Sequence, residues 1–123
     1  MRLLLVDGEP PRQYLRQRLT TEGFEVTGAS YGADAERRIL ADEIDLLLLW
    51  GKPGESARRA VLEFARLHRP TMPVIVISPH EDVADRLATL DAGASDFLVE
   101  PVACGELAAR VRAQVRRAFW MSG

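Results

Sequence analysis

Residues 44–50 read Ile44-Asp45-Leu46-Leu47-Leu48-Leu49-Trp50 and are apolar at every position except one. A strand of a parallel sheet that is covered on both faces has this near-continuous apolar composition, whereas a strand with one wet face alternates. The stretch therefore predicts a buried strand over Ile44–Leu49, and the glycine and proline of the Gly51-Lys52-Pro53 loop mark where the chain turns away from it.

Four further apolar runs have similar length: Leu3–Val6, Phe24–Thr27, Val74–Ile77 and Phe97–Val99. Between the runs, apolar residues recur three and four positions apart, as they do on the buried face of an amphipathic helix. We therefore predict an α/β fold with five βα units doubly wound on a parallel sheet. The helix pairs expected to cover the sheet are Leu15 with Leu19, Ala35 with Ile39, Val61 with Ala65, Val83 with Leu87 and Leu90, and Leu107 with Val111 and Val115.

The joints between these segments carry helix-start and helix-stop residues. Pro10-Pro11 is predicted to open the first helix, and Gly23 and Gly93 are predicted to close two others. We place one domain over residues 1–118 and a tail or linker stub over 119–123.

Composition limits the classes of protein. The chain has 123 residues, of which 47% are hydrophobic and 28% charged, as expected for a single globular domain. A net charge of −2 favours neither nucleic acid nor an anionic membrane as a direct partner. Cys104 is the only cysteine, so no intramolecular disulfide is possible, and we expect a cytoplasmic protein.

Ligand sites in doubly wound sheets form outside the carboxyl ends of the strands. Four segments occupy those positions here: Asp7-Gly8-Glu9, Trp50-Gly51-Lys52, Ser78-Pro79-His80 and Glu100-Pro101.

Three separate segments resemble the receiver domain (CheY-like) of bacterial two-component response regulators: residues 3–10, 73–78 and 91–101. The resemblance covers almost the whole chain. Residues 92–97, the Glu100-Pro101 step and the arginine-rich last helix are most similar to the OmpR-type winged-helix subfamily. The resemblance to receiver domains implies a flavodoxin-like three-layer sandwich with strand order 2-1-3-4-5, and a cis peptide at Glu100-Pro101.

Receivers of this family place a phosphoryl group on an aspartate, using Mg²⁺ and a lysine to neutralise charge. The resemblance puts Asp7 at the first acidic position, Gly8 where the second acid is usual and Glu9 at a common family residue. It puts Trp50 at the acceptor position, or Leu49 if the following loop is aligned without a gap. Neither residue can be phosphorylated.

Three more positions follow from the same resemblance. Ser78 and Phe97 match the two switch positions, and Glu100 reverses the charge of the lysine position. Asp45 cannot replace the acceptor, because five residues at about 3.3 Å each place it roughly 16 Å from the pocket.

Each pocket residue also has a purely structural interpretation. Asp7 and Ser78 could cap turns, and Trp50 could fill the vacated pocket by packing. Glu100 could pair with Lys52 or be solvated.

The resemblance also implies a two-fold dimer face on the fourth helix, fifth strand and fifth helix. Cross-subunit ion pairs would surround an apolar patch, and Ser95 stands where an acid that pairs with position 112 is common, so that this pair with Arg112 would be missing. The matching positions are Arg86, Leu87, Leu90, Asp96, Glu106 and Arg110. The alternative is that the charged residues among them are ordinary exposed charges.

The sequence thus predicts an atypical receiver that is not an enzyme, uses no metal or cofactor and acts without aspartyl phosphorylation. It would regulate an output domain or protein partner, in transcription, through homodimerisation or protein contact. One alternative is a sensor whose pocket of Asp7, Trp50, Ser78 and Glu100 binds a cationic or planar small molecule. Trp50 folded against Ser78 and Phe97 would argue against that sensor. The other alternative is a conventional phosphorelay receiver with a displaced acceptor.

Overall fold

The computed structural model of the chain describes residues 1–8 and 13–122. Glu9 and the predicted helix start at Pro10-Pro11 lie outside the described residues. The sheet is parallel with strand order β2-β1-β3-β4-β5, so the predicted fold class and order are confirmed. Its strands are β1 Arg2–Asp7, β2 Glu25–Ser30, β3 Leu46–Trp50, β4 Val74–Ser78 and β5 Asp96–Val99, and its helices are α1 Gln13–Thr21, α2 Ala33–Ala41, α3 Ser56–His68, α4 Val83–Asp91 and α5 Cys104–Ser122.

Strand β3 lies at the centre of the sheet and is buried at all of its positions. Alternate side chains point to opposite faces of a strand, so β3 supplies two core layers. Leu47 and Leu49 pack in the layer beneath α2 and α3, whereas Leu46, Leu48 and Trp50 pack in the layer beneath α1 and α5.

Strand β3 begins two residues later than the predicted Ile44. Asp45 is held at the amino edge of the sheet, where its Oδ2 accepts a 2.7 Å hydrogen bond from the Arg2 backbone N–H. Asp45 and Trp50 therefore lie at opposite edges of the sheet. Phe24 likewise precedes β2 instead of starting it.

The prediction that α4 covers the sheet with its apolar residues is wrong. Val83 is 65% exposed, Leu87 57% and Leu90 38%, and the buried residue of the helix is Thr89. The side of α4 that faces the protein carries polar groups, because Asp85 and Thr89 bond a buried arginine from α3. The apolar stripe of α4 is therefore left on the surface.

Helix α5 extends to Ser122, and Phe119 and Trp120 near its end are 74% and 76% exposed. The domain boundary at residue 118 falls inside this helix and stays a prediction. In the described parts of the chain, no helix is both long and apolar enough to cross a membrane.

Candidate functional site at the carboxyl edge of the sheet

Four predicted pocket residues, one from each strand-end segment, lie at one edge of the sheet. Asp7, Trp50 and Ser78 are the last residues of β1, β3 and β4, and Glu100 directly follows β5. Backbone hydrogen bonds continue past the strand ends, from Gly51 N–H to the Ile77 carbonyl at 3.0 Å and from Glu100 N–H to the Ser78 carbonyl at 2.9 Å. These bonds fix the positions of the last residues relative to one another.

Trp50 is buried, with 6% of its surface exposed, in the core layer beneath α1 and α5. Its indole Nε1 donates a 2.9 Å hydrogen bond to Glu100 Oε1. A buried tryptophan combines a large apolar contact with one N–H that needs an acceptor, and Glu100 provides that acceptor. Phe97 belongs to the core layer on the opposite face of the sheet, so Trp50 does not fold against it.

Glu100 is half-buried and joins three elements of the fold. Its second carboxylate oxygen accepts a hydrogen bond from the Tyr14 hydroxyl on α1, while the first accepts the indole N–H of Trp50. The structure thus places the Trp50 indole and the Tyr14 hydroxyl as hydrogen-bond donors to Glu100. The Glu100-Pro101 peptide bond is cis, as the resemblance implied.

The backbone of Trp50 is held as well as its side chain. The Tyr31 hydroxyl donates a 2.5 Å hydrogen bond to the Trp50 carbonyl oxygen. Burial raises the pKa of Tyr31, and the nearby charge of Glu55 raises it further. The phenol therefore stays a neutral donor at physiological pH. Sequence reasoning missed both tyrosines, because Tyr14 lies on α1 and Tyr31 follows β2, which continues to Ser30 beyond its predicted end at Thr27.

Asp7 is 5% exposed and Ser78 is 0% exposed, so neither side chain is open to solvent. Ser78 Oγ donates to the His80 carbonyl oxygen at 2.9 Å and accepts from the His80 N–H at 3.3 Å. This is a local turn bonded by a serine side chain, which is the structural interpretation of Ser78. At Gly8 a Cβ atom would meet nothing within 4 Å.

Among the described residues, the acidic side chains of this edge do not fit the Mg²⁺ site that the resemblance implies. Mg²⁺ requires nearly octahedral oxygen ligands. Glu100 directs its oxygens to Trp50 and Tyr14, and Gly8 offers no side-chain oxygen. Within residues 1–8 and 13–122, no three histidine, cysteine or acidic residues are grouped to hold a metal ion.

A second buried cluster at the same edge was not found from the sequence. Arg58 on α3 is only 4% exposed, and its Nη1 donates to the Gly51 carbonyl at 2.9 Å and the Lys52 carbonyl at 3.2 Å. Its Nη2 bonds the Asp85 carboxylate and, at 3.1 Å, the Thr89 hydroxyl. The one available signal was the position of Arg58 three residues before Val61, on the apolar face of α3.

Around the exposed stripe of α4, the charges of the predicted dimer face form pairs within the chain. Arg86 pairs with Glu81 at 2.6 Å, and its guanidinium lies 5.1 Å from the centre of the Phe97 ring. Arg110 pairs with Asp96 at 3.1 Å and with Glu106 at 3.3 Å.

Residues 95 and 112 do not pair with each other within the chain, and each makes a separate contact. Arg112 pairs with Glu22 at 3.3 Å, and Ser95 Oγ accepts a hydrogen bond from the Val74 N–H at 3.1 Å.

Comparisons with known proteins agree with the fold. The family model of the response regulator receiver domain matches residues 3–112. Response regulator MprA of Mycobacterium leprae is 38% identical over 95% of this chain and 52% of its own length. Response regulator protein PmrA of Pseudomonas aeruginosa is 41% identical over 94% of this chain and 49% of its own. The chain thus spans about half the length of these curated relatives.

Solved structures share the fold. A receiver domain from Clostridium thermocellum superimposes with a TM-score of 0.86 over 98% of both chains, at 23% identity. A putative response regulator from Chloroflexus aurantiacus gives a TM-score of 0.81 over 94% of this chain and 98% of that one, at 26% identity. From the family match, the identities and the fold together, the chain belongs to the response regulator receiver domain family of two-component signalling.

Proposed function

We propose that this receiver domain transmits its signal by protein contact, without phosphorylation of an aspartate. The observation that carries the proposal is Trp50. It ends β3 at the acceptor position, is 6% exposed, and donates its indole N–H to Glu100.

Phosphoryl transfer to a receiver needs a nucleophilic oxygen and nearby positive charge to neutralise the transferred group. Trp50 offers no such oxygen, and Glu100 brings negative charge to the position where the family has lysine. A displaced acceptor is also disfavoured, since Asp45 lies at the other edge of the sheet and Asp7 is only 5% exposed.

The small-molecule alternative is disfavoured by the same side chains. Three of the four residues of the candidate pocket are 0–6% exposed, so they leave little surface for a ligand to contact. Trp50 fills the space instead, which is the packing interpretation of this residue.

The contact surface that we propose is the outer side of α4, with homodimerisation as its use. Val83, Leu87 and Leu90 are exposed apolar residues one turn apart, and charged residues of β5 and α5 surround them. Such a patch with a polar rim is the usual anatomy of a protein interface. We further propose that the domain regulates an output domain, as part of a longer transcriptional regulator.

The phosphorylation half of the proposal is tested by incubation with acetyl phosphate and Mg²⁺, followed by intact mass measurement. We expect no phosphate adduct, while a receiver domain with an aspartate at the end of β3 is labelled in parallel. An adduct that disappears in Asp7→Asn would establish a displaced acceptor and overturn the proposal.

The dimer half is tested by sedimentation equilibrium of the wild type and of Leu87→Glu. We expect concentration-dependent dimerisation that Leu87→Glu weakens at least tenfold, because a charge would be buried in the interface. Leu67→Glu is the matched control, since Leu67 is 75% exposed on α3, away from this face. A wild type that stays monomeric at high concentration, or equal loss in both variants, contradicts the assignment.

A further inference from the structure

A groove of about 410 Å³ lies at the amino edge of the sheet, opposite the Trp50 cluster. It runs between the end of α3, the turn at residues 70–73, the start of β5 and the last turns of α5. Its volume is in the range of small-molecule sites in proteins. Nothing in the proposed function uses it.

Two arginines line this groove, Arg66 from α3 and Arg117 from α5, and no acidic residue is found among its described lining. Neither guanidinium forms an ion pair with a residue in the ranges that the structure describes. Other arginines of this acidic chain, such as Arg58, Arg86 and Arg110, each pair with a carboxylate. The groove is therefore a local concentration of unneutralised positive charge.

The guanidinium of Arg66 is positioned by the fold. It donates to the Pro70 carbonyl at 3.0 Å and to the Met72 carbonyl, while its Nε is buried with no acceptor among the described residues. Burial lowers the pKa of Arg66, which reflects the cost of removing this cation from water. An anion in the groove would offset that cost.

Gly93 makes room for the Arg66 side chain. A Cβ on this residue would lie 2.5 Å from Arg66 Cδ, and its φ of +110° is a conformation suited to glycine. The path of Arg66 into the groove thus depends on a glycine in the turn between α4 and β5.

Neutral donors and an apolar wall complete the site. Ser95 Oγ accepts from the Val74 N–H, which leaves its own O–H available to donate. Gln114 donates to the Ser95 carbonyl at 3.4 Å and so keeps its amide at the groove. Met72 supplies buried apolar surface beside these groups.

We infer that this groove binds a small anion, a carboxylate or phosphate attached to an apolar group, between Arg66 and Arg117. The arginines and the hydroxyl and amide donors would hold the anionic head, and the apolar wall would contact the remainder. The inference is independent of the proposed function, because the groove lies at the other edge of the sheet.

The test is a titration of the ¹⁵N-labelled protein, observed by amide NMR, with sodium benzoate and separately with inorganic phosphate at constant ionic strength. We expect saturable shifts confined to amides near Thr71, Ser95 and Gln114. Loss of one charge-assisted contact in Arg117→Gln should weaken binding about tenfold. Arg117 is the primary target because it is exposed and forms no hydrogen bond or ion pair with the part of the chain that the structure describes.

Arg116→Gln is the matched control, since it removes the same charge from the neighbouring exposed position without lining the groove. Saturation by benzoate alone identifies a carboxylate with an apolar group, and saturation by phosphate as well identifies a phosphate-bearing ligand; both support the inference. Shifts that never saturate, or equal weakening in Arg116→Gln and Arg117→Gln, would overturn it.

Discussion

Two buried clusters hold the loop that follows β3, and they do so with different chemistry. On the α1 and α5 side, Trp50 is fixed by core packing and by the carboxylate of Glu100. On the α3 and α4 side, Arg58 bonds the loop carbonyls and forms an ion pair with Asp85. The first cluster depends mainly on apolar burial, whereas the second depends on keeping two buried charges together. The loop is consequently restrained from both faces of the sheet.

The largest effect is expected for Arg58→Ala, in the ionic cluster. The Arg58 and Asp85 side chains are 5% and 8% exposed, so the substitution leaves a buried carboxylate without its counter-ion. We expect the free energy of unfolding to fall by about 3–5 kcal/mol, measured by urea denaturation.

Arg59→Ala is the control for this loss, since Arg59 is half exposed and pairs with Glu63 on the surface. Its effect should stay within about 0.5 kcal/mol. The double variant Arg58→Met, Asp85→Leu should recover most of the lost stability, because it removes both buried charges. A double variant no more stable than Arg58→Ala would contradict the ionic description.

The next effect is expected for Trp50→Phe, in the aromatic cluster. The substitution keeps most of the apolar contact and removes the N–H that bonds Glu100. We expect a loss of about 2–3 kcal/mol, from the lost charge-assisted hydrogen bond and the smaller side chain. Trp120→Phe is the control, since Trp120 is 76% exposed. Equal stability of the two variants would show that Trp50 is not structurally important.

Gly51→Ala tests how tightly the two clusters enclose the loop between them. A Cβ at this position would lie 2.8 Å from Arg58 Cδ and 3.0 Å from Glu55 Oε2. We expect destabilisation of about 1–3 kcal/mol from overpacking, measured by thermal unfolding. Gly8→Ala is the matched control at the same edge, where a Cβ would meet nothing within 4 Å. A neutral Gly51→Ala would mean that the loop can move away from Arg58.

The smallest effect is expected for Tyr31→Phe, which removes the hydroxyl bonded to the Trp50 carbonyl. We expect a loss of about 1 kcal/mol at pH 7. The native state raises the pKa of Tyr31 above its ordinary value of 10.0, so its stabilising effect is present below pH 10 and is lost as the pH rises further.

The stability difference between wild type and Tyr31→Phe should therefore shrink above pH 10, in urea denaturation repeated across the alkaline range. Thr21→Ala is the control, since it removes an exposed hydroxyl that bonds the Gln17 carbonyl and does not titrate in this range. A constant difference across that range would indicate that Tyr31 titrates alike in the folded and unfolded chains.

The sequence predicted the parallel sheet well because a buried strand such as β3 has a composition that few other structures share. It predicted α4 wrongly, since Val83, Leu87 and Leu90 have the same helical spacing whether their stripe faces the core or the solvent. The resemblance had placed Leu87 and Leu90 in an exposed patch, and in the structure the pair of Arg58 with Asp85 holds the polar side of α4 inward.

The candidate site shows the same limit. Strand-end positions brought Asp7, Trp50, Ser78 and Glu100 to one edge, but the direction of the Trp50 side chain depends on which helices cover each face. Arg58 was missed because arginine is ordinarily a surface residue, and its burial depends on partners far along the chain.

The burial of Trp50 has a practical consequence for spectroscopy. The chain has two tryptophans, one enclosed beside a carboxylate and the other, Trp120, open to solvent. Their fluorescence should separate by emission wavelength, and an aqueous quencher such as iodide should reach Trp120 first. The emission of the enclosed indole would then report directly on any exposure of Trp50 at the carboxyl edge of the sheet, without an added label.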